Sequence, residues 1–168
     1  MEHTLLKGRA FKFGDDISTD LIIAGKYAHL RSNLPELAKH VMEDANPHFA
    51  SKVQPGDFIV GGSNFGLGSS REHAPLVIKM AGVSAVLAKS FARIFFRNAI
   101  NQGLPVLICD TAKIGEGDVL EVSLDQGVIN NVTKNERYIF TGIPPAMLSI
   151  LNEGGLIPYI NKYGDFKW

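Results

Sequence analysis

The segment from Phe58 to Cys109 constrains the fold more than any other part of the chain. "FIVGG" (58–62) is a short apolar run stopped by glycine, and "APLVIKMAG" is a helical pattern that begins near Pro75 and ends at Gly82. "VSAVLAK" is again apolar and β-branched. "SFARIFFRNAINQG" reads as a helix with Ser90 as N-cap and Gly103 as the residue just past its end, and "LPVLIC" closes the series. Strand, helix, strand, helix, strand at these lengths implies parallel pairing through right-handed crossovers.

The flanks have a different texture. "LLKGRAFKFG" alternates roughly and stops at Gly14, which predicts a strand. "DDISTD" is turn chemistry, "LII" a short β-branched run, and "AGKYAHLRSN" has no steady period, which predicts a mobile loop over 24–33. "PELAKHVMEDA" opens with Pro35 and places Leu37, Val41 and Met42 on one helical face. After Asp110, the turns "GEGD", "DQG" and "KNE" separate short alternating runs, an antiparallel meander expected to join the N-terminal strands in a barrel-like layer. "PPAMLSILNEGGLIPYINKYG" reads as a helix, a Gly-Gly break and a second short helix. With 168 residues and 45% hydrophobic content, one domain over 1–168 is expected.

Lys plus Arg and Asp plus Glu both number 17, so net charge supplies no general attraction to nucleic acid or anionic membrane. No apolar run reaches about 18 residues, and "MEHTLLKGRAFKF" lacks the apolar core of a signal peptide, so cytosol is the expected location. Cys109, the one cysteine, sits in an apolar run and reads as a buried small hydrophobe. It cannot hold an iron–sulfur cluster alone.

"GGSNFGLGSSREHAP" (61–75) carries more polar apparatus than a turn needs. One reading is a capping box, Ser69 with Glu72; against it, Pro75 would then lie inside the helix, at a cost of about 3 kcal/mol. A second is a phosphate cradle, yet the spacing matches neither common glycine-rich nucleotide motif. A third is a carboxylate site with a serine base. Arg71 can grip a carboxylate in bidentate fashion, and amide dipoles with a cation make a serine hydroxyl easier to ionise.

"NFGLGSSREHAPLVIKMAGVSAVLAKSFARIFFRNAINQGLP" (64–105) closely resembles the small subunit of 3-isopropylmalate dehydratase, within the aconitase superfamily. "GRAFKFGDDISTD" is a second match and "GGLIPYINK" a weaker third. The resemblance implies an α/β fold, the swivelling β/β/α domain of the aconitase C-terminal domain, with a parallel βαβαβ core and an antiparallel barrel-like layer. It implies a two-chain hydro-lyase, a heterodimer or heterotetramer, that isomerises a malate-like 2-hydroxy diacid by dehydration and rehydration. Isopropylmalate in leucine synthesis leads; homoaconitate or 2,3-dimethylmalate chemistry, or a non-catalytic anion-binding regulatory module, are the alternatives. The resemblance places no cofactor in this chain and a 4Fe–4S cluster in the large subunit.

By the same resemblance Ser69 matches the family's catalytic base, Ser70 and Arg71 match substrate-carboxylate residues, and Asp20 matches an aspartate lining the cleft. Glu72 and His73 read as scaffold, and Arg93 and Arg97, spaced i,i+4, as structural salt-bridge residues. One of Phe95 and Phe96 is a candidate for a partner-facing surface, with core packing the stronger expectation. The chain departs from its relatives at Leu67, where many have cysteine, at Ile23, where aconitase has a cleft serine, and in "YAHLRS" (27–32). That loop, with Tyr27, His29 and Arg31, is expected to read the substrate's variable arm: an apolar wall suits isopropyl, an arginine suits a distal carboxylate.

Overall fold

The computed structural model describes residues 5–165. Seven strands form one mixed sheet: β1 (Leu5–Lys12), β2 (Phe58–Val60), β3 (Ala85–Ala88), β4 (Val106–Ile108), β5 (Val119–Ser123), β6 (Val128–Asn131) and β7 (Glu136–Ile139). Their order is β4-β3-β2-β1-β5-β6-β7. β1 to β4 run parallel, as the alternation of strands and helices requires, and β5 to β7 form the expected antiparallel meander. β1 joins the two halves, pairing parallel with β2 through Ala10–Phe58 and antiparallel with β5 through Leu5–Ser123. The sheet curls into a half-barrel.

Alternation along each strand feeds two cores. Ile59, Val86 and Phe11 point to one side, where they meet Val77 and Ile78 of α4 (His73–Met80) and Phe95 and Ala99 of α5 (Arg93–Asn101). Phe58, Val60, Leu87 and Leu107 point to the other, against Leu120 and Val122 of β5 and Ile129 of β6. The meander thus covers the sheet face that the helices leave bare. Phe49, Phe58 and Phe65 are fully buried, and burial of each such side chain is worth about 1.5 to 3 kcal/mol.

Three expectations are corrected. The helix expected over 35–45 is only α2 (Leu34–Ala38), because the Met42 amide bonds to Ile22 O at 2.9 Å and Met42 turns left-handed at φ 60°. Leu37, Val41 and Met42 are nevertheless all buried together. The 24–33 loop is not structureless, since Gly25–Leu30 forms a 3-10 helix. Ser90 does not cap α5: the chain stays extended through Phe91, which bridges Phe65, and Ala92 is the N-cap. At the other end Gly103, at φ 80°, closes α5 as expected. Its N–H reaches Ile100 O, and the Leu104 N–H reaches Ala99 O, the paired bonds of a Schellman motif.

Two short helices, α1 (Thr19–Ile22) and α3 (Phe49–Lys52), were not indicated by any periodicity. The C-terminal pair is as expected, with α6 (Pro145–Asn152), the break at Gly154 and Gly155, and α7 (Leu156–Tyr163).

Candidate active site

Parallel strands end at a common edge, and in such sheets ligands bind beyond the carboxyl ends. Here β1, β2 and β3 release residues 13–20, 61–71 and 89–92 at that edge. Hydrogen bonds stitch the three segments together: Gly62 N–H to Gly14 O, Gly66 N–H to Ile17 O, Thr19 N–H to Leu67 O, Phe65 N–H to Ser90 O, and Asn64 N–H to the Ser90 hydroxyl at 2.7 Å. Gly66 explains one glycine of the turn. It has φ 85°, and a Cβ there would fall inside the Phe95 ring.

The structure weighs against two of the three readings. The N–H groups of residues 61–66 are spent on the protein itself, so this part of the turn offers no donors to a phosphate. Ser69 is not a cap either, for α4 starts at His73 and its N-cap is Glu72, without a side-chain bond. Ser69 and Ser70 are exposed, and among the described residues neither hydroxyl has a hydrogen-bond partner.

Arg71 is brought together with Asp20. Its Nη2 lies 2.6 Å from Asp20 Oδ1, and its Nη1 donates to Ile23 O at 2.8 Å. Asp20 stands in the first turn of α1, whose N-cap Ser18 accepts from the Leu21 N–H. Because Asp20 is 68% exposed, the pair is worth roughly 0 to 1 kcal/mol of stability. Its geometric effect is larger: two contacts fix the guanidinium and leave its other N–H groups for a ligand.

Two clefts flank the Ser70–Arg71 segment. One, of about 360 Å³, has Ile23, Ala28 and Leu37 as its apolar wall and Arg31, Glu72 and His73 as its polar one. The other, of about 210 Å³, is lined by Ser69 with Thr19, Arg93 and Asn98. The loop expected to read the variable arm therefore divides. Arg31 faces the larger cleft while its Nε donates to Ala28 O at 3.0 Å. His29 is exposed and does not line it. Tyr27 is used structurally: its ring stacks on His40 at 3.9 Å and its hydroxyl donates to Glu43. That bond is the chief reason the Glu43 carboxyl is held below its ordinary range and the Tyr27 hydroxyl above its own.

Other expectations change in detail. Among the described residues Arg93 and Arg97 form no salt bridge; two like charges at i,i+4 repel, and α5 offers them no acid. Phe95 is buried against Phe65 and Phe96 is half-buried against the same core, while the exposed apolar side chain of α5 is Ile94. Cys109 is buried as expected, and burial is the main cause of its thiol being pushed up to about 11. An inert thiol of this kind does not fit a cluster ligand. Among the described residues no group of three or more His, Cys, Asp or Glu is placed to hold a metal ion, and no helix is long and apolar enough to cross a membrane.

A β/α domain with a serine pair and a clamped arginine at the ends of its parallel strands defines a class, and comparison with known proteins agrees. Residues 17–111 match the model of the aconitase C-terminal domain. The chain is 67% identical over 160 residues to 3-isopropylmalate dehydratase small subunit 2 of Archaeoglobus fulgidus, covering 95% of this chain and 97% of that one. It is 58% identical to small subunit 1 of the same enzyme from Thermotoga maritima, covering 96% and 98%. The crystal structure of 3-isopropylmalate dehydratase from Methanocaldococcus jannaschii superposes with a TM-score of 0.91 at 48% identity, covering 96% of both chains. The chain belongs to the aconitase C-terminal domain family, among the small subunits of 3-isopropylmalate dehydratase, a hydro-lyase. The term small subunit implies a large-subunit partner.

Proposed function

We propose that this chain is the proton-abstracting half of a two-chain enzyme that isomerises 3-isopropylmalate in leucine biosynthesis, working in the cytoplasm with its large subunit. The observation that carries the reading is the exposed, partnerless Ser69 hydroxyl beside a guanidinium clamped by Asp20. Ser69, as alkoxide, takes a proton from the carbon next to a substrate carboxylate, while the hydroxyl leaves the neighbouring carbon and a double bond forms. Readdition of water with the positions exchanged completes the isomerisation. A 4Fe–4S cluster on the large subunit would supply the Lewis acid for the departing hydroxyl. Arg71 and Ser70 hold the carboxylate, and the Arg71 charge lowers the cost of ionising Ser69.

The apolar wall of Ile23, Ala28 and Leu37 suits an isopropyl arm. Arg31 in the same cleft favours a second reading, a distal carboxylate of the homoaconitase type. The test is a purified complex with the large subunit, assayed on isopropylmalate, homocitrate and 2,3-dimethylmalate. Preferred turnover of isopropylmalate by the complex, with none by this chain alone, is expected. Preferred turnover of homocitrate transfers the assignment to the second reading, and activity of the isolated chain defeats both.

A further inference from the structure

The Ser69 cleft contains a second guanidinium that the functional reading leaves unused. Arg93 lines it together with Ser69, Ser70, Arg71 and Asn98, and among the described residues no carboxylate side chain lines it. Arg71 is already balanced by Asp20 at 2.6 Å, so the uncompensated positive charge at this cleft belongs to Arg93. Arg9 lies 3.5 Å from Asp57 and Arg31 donates to Ala28 O, whereas Arg97 and Arg137, which do not line this cleft, have no partner among the described residues. Arg93 has none among the described residues. Its position is also costly for a cation, because it is the first residue of α5, a turn in which acidic side chains are the stabilising ones. A side chain kept charged, exposed and unpaired against the helix dipole is accounted for by an anion that arrives with the substrate.

We propose that Arg93 binds the second carboxylate of the diacid, Arg71 holding the first. This rests on the functional reading above, since a substrate with one carboxylate needs no second guanidinium. It also divides the work between the clefts: the two carboxylates lie along the Arg71–Arg93 side, and the variable arm lies in the larger cleft with Ile23, Ala28 and Leu37.

The experiment measures binding to the assembled two-chain complex, with malate as the diacid probe and lactate as its monoacid counterpart. Arg93→Gln is expected to weaken malate by roughly tenfold or more and to leave lactate unchanged. Arg93→Lys should restore part of the malate affinity. Arg97→Gln, one helical turn away and outside the cleft lining, should bind both probes as the wild type does. Wild-type malate affinity in Arg93→Gln overturns the proposal. So does loss of the large subunit from that variant, which would make Arg93 an assembly residue. Turnover plays no part in this readout, so an active Ser69→Ala complex would sink the base assignment while Arg93 is still judged on affinity.

Discussion

Replacing Asp20 by Asn separates the geometric role of the Asp20–Arg71 pair from its energetic one. The substitution keeps the size of the side chain and removes the charge that draws Arg71 Nη2 to 2.6 Å. Asp20 is 68% exposed and Arg71 31%, so water screens most of the attraction, and the loss of stability should be at most about 1 kcal/mol. For a domain of this size that lowers Tm by no more than about 2 to 4 °C. The second contact, Arg71 Nη1 to Ile23 O at 2.8 Å, survives and helps keep the loop folded. Catalysis is more sensitive. A guanidinium released from one of its two contacts need move only about 1 Å to misplace the substrate, a displacement that costs about a hundredfold in rate. The assay is a melting curve of the variant chain beside kcat/KM of its reconstituted complex. A fall in kcat/KM of roughly ten- to a hundredfold with a nearly unchanged Tm is expected. The reverse, a large drop in Tm with kcat/KM unchanged, would refute the reasoning and make the pair a scaffold contact.

Two further outcomes are expected. Gly66→Ala puts a methyl group into the Phe95 ring at φ 85°; left-handed strain and overpacking together should cost about 2 to 5 kcal/mol, read as a lower urea midpoint, and an unchanged midpoint contradicts the packing described. The Tyr27–Glu43 bond should be sensitive to acid. Glu43 is held below its usual 4.5, chiefly by the Tyr27 hydroxyl, so its contribution is present above 4.5 and fades as pH falls through the lower folded-state value. The difference in urea midpoint between wild type and Tyr27→Phe should therefore shrink between neutral pH and about pH 3, and a gap that stays constant with pH counts against it.

The parallel half of the fold was legible because its strands and helices have distinct periods and glycine marks their ends. Gly82 and Gly103 both adopt the left-handed conformation expected at a helix end. What escaped were features set by contacts remote in sequence. Nothing local in "PELAKHVMEDA" shows that the Met42 amide will bond to Ile22 O and stop the helix at Ala38. Nor does "KSFARI" reveal that the chain remains extended to Phe91 because that residue bridges Phe65. The site divided in the same way. Arg71 could be read as an anion-gripping group, and its meeting with Asp20 fits two segments that lead out of adjacent parallel strands. Arg93 was misread as a salt-bridge residue, although its i,i+4 neighbour Arg97 carries the same charge and could have served as a warning. Tyr27 and Arg31 are grouped by the resemblance of their loop to relatives, but the 3-10 helix that ends before Arg31 leaves Tyr27 bonded to Glu43 and Arg31 facing the larger cleft.

The most direct test of the account is the turnover of isopropylmalate by the reconstituted complex carrying Ser69→Ala. The exposed hydroxyl has no hydrogen-bond partner among the described residues, so folding, assembly and diacid binding should match the wild type. Loss of the proposed base should lower kcat by roughly a hundredfold to ten-thousandfold with little change in affinity. A fully assembled Ser69→Ala complex that turns over at the wild-type rate would show that the proton leaves by another group.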